Sequence, residues 1–147
     1  MGPDMIHAIT FGLLQILATV YAFARGQWPE RLAAVAMIAA LVAGWCIPYE
    51  RGQSYQHLEL ARLATDVALF AAFYVIGLWA HRFWPLWMSA LQLLNVEVHG
   101  ISLFGRDFLP MAYHHLIEWI SYLMLAILII GTRRHDRRTR PRGPTIG

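Results

Sequence analysis

Five long apolar stretches run along the chain, and they restrict its fold more than any other feature of the sequence. A helix needs about 20 mostly apolar residues to cross the roughly 30 Å of hydrocarbon in a bilayer. Inside lipid every backbone amide needs a hydrogen-bond partner, and a helix supplies these partners within its own segment. We therefore predict an all-α protein, a polytopic transmembrane helical bundle with five spans at about 5–24, 31–48, 59–80, 84–103 and 110–131.

Composition and the first residues agree with a membrane protein. Of the 147 residues, 58% are apolar and 14% are charged, whereas soluble domains are roughly half apolar and about one quarter charged. The first residues, MGPDMIHAIT, carry no positive segment, and no small-residue cleavage site follows the first apolar stretch. We therefore expect no cleaved signal peptide. The lone cysteine, Cys46, excludes an intrachain disulfide.

The distribution of arginines predicts how the chain is oriented. All twelve basic residues are arginine, and with the C-terminus inside nine of them face the cytoplasm. The other three, Arg51, Arg62 and Arg106, face the opposite side. Because the more basic side usually stays in the cytoplasm, we predict N-out, C-in, with a transmembrane domain at 1–131 and a basic cytoplasmic tail at 132–147. If the fourth segment only dips into the membrane, the chain has four spans and both ends lie inside.

Ionisable residues concentrate at one end of the predicted bundle. With five spans, the starts of spans one, three and five and the end of span four lie on the same side, and we expect almost nothing comparable in the other half. Charges inside a bilayer cost on the order of 2.5 to 3.5 kcal/mol each on insertion scales, so they usually face a partner, water or a functional site. The candidate cofactor-binding residues are His7, Glu97, His99, His114, His115 and Glu118.

Helical spacing predicts which polar side chains of the fourth span share a face. Steps of three and four residues give one polar stripe, formed by Gln92, Asn95, His99 and Ser102. Glu97 is two residues from His99, so it points about 200° away from that stripe. We therefore expect Glu97 to need a different partner.

Each group of ionisable residues also has a purely structural interpretation. Glu59, Arg62 and Asp66 are spaced three and four residues apart, and we favour a structural ion network within the third span. The histidines of the fifth span could simply reach interfacial water. Glu97 and His99 could form hydrogen bonds between helices without any chemistry. Spacing alone does not decide between these structural interpretations and a binding site.

The residue types at this end define three cofactor hypotheses. Imidazole and carboxylate groups are ligands for zinc, iron or manganese, and the candidate metal ligands are His99, His114, His115 and Glu118. Only the fifth span offers a His and a Glu three or four residues apart, whereas a di-metal carboxylate site needs such motifs on several helices. Haem held by histidines of two spans, and a quinone or a proton path held by Glu and His side chains, are the other two hypotheses.

Motifs of common soluble enzymes are missing from the sequence. It contains no HExxH, no GxSxG, no glycine-rich phosphate loop and no CxxC. The predicted connections between spans are too short to hold a substrate domain. We therefore favour a protein without catalysis of its own.

Small residues in the second span favour a role in assembly. The segment AAVAMIAALVAG permits close approach of another helix. Our first hypothesis is a small integral membrane subunit that packs, within membrane lipid, against other membrane proteins or a second copy. A metal-, haem- or quinone-binding redox or proton-transfer protein is the main alternative, and a small transporter is the third. The basic tail fits a topology anchor, so we expect no nucleic-acid partner.

One part of the sequence resembles known proteins. The residues that carry the likeness are Glu59, Asp66, the turn RFWPLW at 82–87, Gln92 and His99. The stretch that contains them, 59–99, resembles small multi-span inner-membrane proteins of alphaproteobacteria. This resemblance implies a compact helical bundle and a multi-pass location in the bacterial inner (cytoplasmic) membrane, and it implies no activity.

Overall fold

The computed structural model describes residues 3–46, 55–102 and 112–139, which form five α-helices. In chain order these are α1 (Pro3–Arg25), α2 (Trp28–Cys46), α3 (Tyr55–Ala80), α4 (Phe83–Ser102) and α5 (Ala112–Thr139). The all-helical prediction is confirmed. Within the described residues, four of the helices, α1, α2, α3 and α5, are long and apolar enough to cross a membrane.

The helix ends differ from the predicted spans mainly in α2, α3 and α5, and α3 begins at Tyr55 instead of at 59. α2 begins earlier than predicted, because Pro29 fits the first turn of a helix and the Glu30 side chain caps that turn. α5 continues to Thr139, past the predicted end of the fifth span at Gly131, since arginine is a good helix former outside lipid as well. The predicted start of that span, Pro110, lies outside the described residues.

Consecutive helices pack side by side, and α5 returns to α1 to close a ring. The contact between α3 and α4 is the most extensive one, and α2 also touches α5 across the ring. α1 and α5 run in the same direction, because Phe11 meets Tyr122 in one half of the bundle and Arg25 meets Asp136 in the other. Glu30 in the first turn of α2 contacts Arg82 just before α4, so α2 and α4 begin at the end of the bundle where α1, α3 and α5 finish, and each helix runs antiparallel to the next one in the chain.

The ring has two ends, which we name after a residue at each. The Arg82 end contains the last turns of α1, α3 and α5 and the first turns of α2 and α4. The His99 end contains the first turns of α1, α3 and α5 and the last turns of α2 and α4. The region that the sequence predicted to be rich in ionisable residues is the His99 end.

The interior of the ring contains an apolar core to which all five helices contribute. Its members are Ala18, Ala22, Ala33, Ala34, Met37, Phe73, Ile76, Met88, Ile120, Met124, Leu125 and Leu128. The core residues of α1 are alanines, whereas α5 supplies larger side chains such as Leu128. Large apolar side chains also cover the outside, for example Leu17, Trp79 and Phe83. Helices that are apolar on all sides are typical of membrane spans.

α4 is not among the described helices that are apolar enough along their length to count as a span, and its buried polar side chains lie on the inward face. Ser89, Gln92 and Asn95 are buried, while Trp87 and Leu94 are exposed on the outside. Its 20 residues correspond to a length of about 30 Å at 1.5 Å per residue. α4 therefore has the length of a membrane span, and its polar groups mostly face protein.

A tight turn joins α3 to α4. A Cβ atom on Gly77 would lie 2.6 Å from Cδ2 of Leu86, so any other residue at this position would displace the Leu86 side chain. His81 has a φ of 51°, and a left-handed residue commonly ends a helix at this position. Its Nδ1 atom lies 3.1 Å from the carbonyl oxygen of Trp79. The turn fixes the register of α4 against α3 and places Arg82 at the end of the bundle.

Candidate functional site

The contact between α3 and α4 contains a polar network formed by Asp66, Gln92, Asn95 and His99, which we call the Asp66 network. Nε2 of Gln92 donates to Oδ1 of Asp66 at 2.7 Å, and Nδ2 of Asn95 donates to Oε1 of Gln92 at 3.4 Å. Nε2 of His99 lies 3.4 Å from Oδ2 of Asp66. The two oxygens of one carboxylate therefore face two different residues of α4.

Helical spacing explains why α4 supplies three members of the Asp66 network. Gln92, Asn95 and His99 lie three and four residues apart, so they share one face of the helix. Exposure rises along this face, from 1% at Gln92 and 5% at Asn95 to 13% for the side chain of His99. The Asp66 network thus runs from the interior of the bundle toward its His99 end.

In a pair of a carboxylate and an imidazole, a proton can be carried by the carboxylate or by either ring nitrogen. When His99 is protonated, its contact with Asp66 is an ion pair. When His99 is neutral, Nε2 is either a donor or an acceptor, depending on which ring nitrogen carries the hydrogen. The pair therefore offers a protonatable group at the border between the buried amides and the His99 end.

The structure separates the polar residues of α4 into two faces. Gln92 and Asn95 are buried and His99 is partly buried, on the face that the stripe predicted, while the side chain of Ser102 lies outside the described residues. Glu97 is exposed, and no described side chain forms a hydrogen bond or an ion pair with it. Glu97 and His99 therefore lie on different faces of α4, as their spacing predicted.

The structural ion network predicted for Glu59, Arg62 and Asp66 stays a prediction, because the side chain of Glu59 lies outside the described residues. Asp66 also has partners on α4, since it bonds to Gln92 and approaches His99. The spacing within α3 could not reveal these partners. Asp66 therefore connects two helices in addition to any role within α3.

The remaining candidate residues lie at the His99 end on α1 and α5. His7 and Glu118 are exposed, and each precedes by four residues a member of the aromatic pair that joins α1 to α5. The side chains of His114 and His115 lie outside the described residues. In the part of the chain that the structure describes, no group of three or more His, Cys, Asp or Glu side chains is placed to hold a metal ion. The metal, haem and quinone hypotheses stay predictions.

A further buried amide belongs to α1. Gln15 has 1% exposure, and neither its Nε2 nor its Oε1 has a hydrogen-bond partner among the described residues. Oδ1 of Asn95 is buried without such a partner as well. A buried polar group without a partner costs on the order of 1 to 3 kcal/mol. These atoms are therefore candidates for contact with a small polar ligand or water.

The Arg82 end contains a polar cluster of Gln27, Glu30, Arg82 and His135, which we call the Glu30 cluster. Oε1 of the fully buried Glu30 accepts from Nη1 of Arg82 at 2.9 Å, and Oε2 accepts from the backbone N–H of Gln27 at 3.0 Å. Nη2 of Arg82 donates to Oε1 of Gln27 at 3.3 Å and lies 3.4 Å from Nδ1 of His135. The expectation of almost nothing comparable in this half of the bundle is wrong.

Part of the Glu30 cluster has a local sequence signal. Glu30 follows Gln27 by three residues, which is the spacing of a capping box, where an acidic or amide side chain returns to the first free N–H of its helix. The segment QWPE could therefore have located Glu30. Its pairing with Arg82 could not be found this way, because the two residues are 52 positions apart and lie in different connections between the predicted spans.

The last turns of α5 complete the Arg82 end. Oδ1 of Asp136 lies 3.4 Å from Nη1 of Arg25, and His135 approaches Arg82. The Arg25 side chain is 52% exposed, so this ion pair is weakened by solvent and contributes little. α5 thus contacts both the α1–α2 connection and the α3–α4 turn.

A groove between α2 and α3 opens on the outer surface, and we call it the alanine groove. Its volume is about 480 Å³. Seven of its nine lining residues are alanines: it is formed by Ala36, Ala39, Ala40, Ala43, Ala64, Thr65, Ala68, Leu69 and Ala72. The groove is therefore almost free of polar groups, and its walls consist mainly of backbone and methyl groups.

Three features thus remain as candidates for function: the Asp66 network with the buried amide of Gln15, the Glu30 cluster and the alanine groove. The first is polar and only partly bonded, the second is polar and closely bonded, and the third is apolar.

In comparisons with known proteins, no protein-family model, no curated protein and no solved structure matches the chain.

Proposed function

We propose that this protein is a small integral membrane subunit that binds a transmembrane helix in the alanine groove. The observation that carries the proposal is the composition and shape of that groove, a volume of about 480 Å³ walled by seven alanines and open to the outside. The helix belongs to another membrane protein or to a second copy of this chain.

The physical basis is the way helices associate in lipid. Lipid tails are as apolar as leucine, so helix association depends on close packing, which small residues permit. Ala36 and Ala40 on α2, like Ala64, Ala68 and Ala72 on α3, recur every four residues and line the two walls. A helix placed between these walls can approach both backbones closely.

Burial within α2 supports the same proposal. All of its buried residues lie between Pro29 and Met37, near the Arg82 end. From 38 to 46 every side chain is exposed or only partly buried. Half of α2 is therefore held by the bundle, and the other half presents small residues to the surroundings. A partner helix in the groove would bury this second half.

The membrane location and orientation belong to the same proposal. We infer five spans in the bacterial inner membrane, with the N-terminus outside and the C-terminus inside, surrounded by lipid and without a nucleic-acid partner. The length of α4 and its inward polar face support the fifth span. The arginine count supports the orientation, because Arg25, Arg82 and the arginines of α5 all lie at the Arg82 end.

Photo-crosslinking in native membranes tests the proposal. We expect benzoylphenylalanine in place of Ala40 or Ala68 to form one discrete protein adduct, which mass spectrometry identifies as another membrane protein or as a dimer of the chain. The same group in place of Leu17, which is 64% exposed on α1, is the control and should give no such adduct. Adduct patterns that do not differ between the three positions would contradict the proposal.

Cofactor binding is the second candidate function, because His99 lies 3.4 Å from the Asp66 carboxylate and thus has an oriented ring nitrogen. A haem, a zinc or iron ion, or a quinone held at the His99 end would require His99 together with residues such as His114 and His115. An absorption spectrum and a metal analysis of the purified protein test this candidate. It is supported if a bound chromophore or a stoichiometric metal is lost in His99→Ala, and it fails if the pure protein carries neither.

A further inference from the structure

The buried amides of the bundle reach the middle of its length. Gln15 lies ten positions before Arg25, and Gln92 lies ten positions after Arg82. At 1.5 Å per residue, each amide is about 15 Å from the Arg82 end, which is half the thickness of a hydrocarbon core of about 30 Å. Polar side chains therefore occur from the His99 end to the middle of the bundle.

These amides have more bonding capacity than the protein around them uses. Gln92 bonds to Asp66 and Asn95, but Oδ1 of Asn95 and both polar atoms of Gln15 have no partner among the described residues. The unbonded atoms include two acceptors and one donor. Water can bond to all of them, because each molecule both donates and accepts.

The two halves of the interior differ in polarity. On the Arg82 side of the amides, Ile76, Met88 and Leu128 are almost completely buried, and these side chains offer water no hydrogen bonds. Beyond them the Glu30 cluster closes the Arg82 end. On the opposite side the network continues to His99 and Asp66, whose side chains keep 13% and 19% exposure. The half toward the His99 end therefore contains a connected polar path, whereas on the Arg82 side no described hydrogen bond joins the buried Ser89 hydroxyl or Trp84 Nε1 to the amides.

We propose that this half of the bundle is a hydrated half-channel, which admits water and protons from the His99 end as far as Gln15 and stops at the apolar layer of Ile76, Met88 and Leu128. His99 and Asp66 form its entrance. The Asn95 and Gln15 amides bind the innermost water. This inference is independent of the alanine groove, which lies on another face of the bundle.

Thiol accessibility in proteoliposomes tests the half-channel. The native Cys46 is exposed at the last residue of α2, so its reaction shows which side of the membrane the His99 end faces. In a Cys46→Ser background, we expect Asn95→Cys and Gln15→Cys to react with the permanently charged reagent 2-(trimethylammonium)ethyl methanethiosulfonate at least tenfold faster than the matched controls Met88→Cys and Leu128→Cys. The faster reaction should occur only with reagent on the His99 side. Intact-protein mass spectrometry counts the modified thiols.

Two results would overturn the half-channel. One is equal reactivity of the four buried thiols, and the other is equal reaction from both sides of the membrane. Hydrogen–deuterium exchange of the unmodified protein provides a measurement that does not depend on the variants. We expect backbone amides of α4 at 92–99 to exchange at least tenfold faster than those at 87–90, which follow the first turn of the helix, and equal protection of the two segments would also contradict the proposal.

Discussion

Both carboxylate oxygens of Glu30 have donors at the Arg82 end of the bundle, whereas the buried amides of Gln15 and Asn95 keep unbonded atoms in the other half. The two regions use similar side chains, and Glu30 and Gln15 are both almost completely buried. In the Glu30 cluster, the Glu30 side chain pairs with the charge of Arg82 and also accepts from the backbone N–H of Gln27 at the start of α2. In the Asp66 network, bonding capacity remains.

This difference separates polar groups that stabilise the fold from polar groups that are available to a ligand. A buried carboxylate that loses its only charged partner is strongly destabilising, so the Glu30 cluster should respond to mutation mainly through stability. An amide with unbonded atoms already costs stability. Replacing such an amide by an apolar residue should therefore change access to the interior more than it changes folding.

The largest effect should follow from Arg82→Leu. This change leaves the buried Glu30 without its charged partner, and we expect the free energy of unfolding in detergent to fall by about 3 to 5 kcal/mol. The control is Arg25→Leu, which removes the exposed ion pair with Asp136 and should cost less than about 1 kcal/mol. Equal losses in the two variants would show that the Glu30 cluster is no stronger than a surface ion pair.

Matched amide substitutions compare the two regions directly. Glu30→Gln removes the charge from a bond with Arg82, and we expect a loss of about 2 to 3 kcal/mol, in the range for hydrogen bonds to charged groups. Asp66→Asn keeps an oxygen that can accept from Gln92, so about 1 kcal/mol should be lost. Chemical unfolding followed by circular dichroism measures both. If Asp66→Asn lost more free energy of unfolding than Glu30→Gln, Asp66 rather than Glu30 would be the residue that mainly stabilises the fold.

Replacement of the buried amides should change the stability of the protein and the access of reagents to its interior in different ways, and Gln15→Met tests the effect on stability. Methionine is similar in size but apolar, so we expect the free energy of unfolding to rise by about 1 kcal/mol as the unbonded amide disappears. The access test runs from the entrance inward: Asn95→Leu, which removes the amide nearer the His99 end, should slow the reaction of a thiol at Gln15→Cys at least tenfold. Unchanged stability in Gln15→Met together with unchanged reactivity at Gln15→Cys would mean that these amides neither cost stability nor bind water.

The smallest effect is expected for His81→Gly in the α3–α4 turn. Glycine adopts a positive φ without the steric cost that other residues have, so the variant should be more stable by about 0.5 to 1 kcal/mol. Because this turn lies beside Arg82, thiol reactivity at Asn95→Cys should not change. A change in that reactivity would indicate that the two ends of the bundle are coupled.

The helices and the inward face of α4 could be predicted because they depend on local periodicity. Apolar runs of about 20 residues indicate spans, and the steps of three and four among Gln92, Asn95 and His99 indicate one face. The exposure of Glu97 agrees with the same rule. These patterns are properties of single helices, and they need no knowledge of which helices become neighbours.

The pairings between helices could not be predicted, because they depend on packing. Asp66 has suitable partners at helical spacing within α3, yet its hydrogen bond with Gln92 is set by the register of the α3–α4 hairpin. Glu30 and Arg82 are 52 residues apart, and their contact requires the ring of five helices. The extension of α5 to Thr139 could not be predicted either. The basic residues after Gly131 indicate a tail outside the membrane, and their sequence does not show that the helix continues through them.

The separation of Glu30 from Arg82 has a consequence for biosynthesis. During translation Glu30 leaves the ribosome 52 residues ahead of the arginine that neutralises it, so the first hairpin enters the membrane with an acid that has only its own helix cap as a partner. Glu30 in the first hairpin (α1 and α2) therefore gains its charged partner only after α3 and Arg82 have been synthesised.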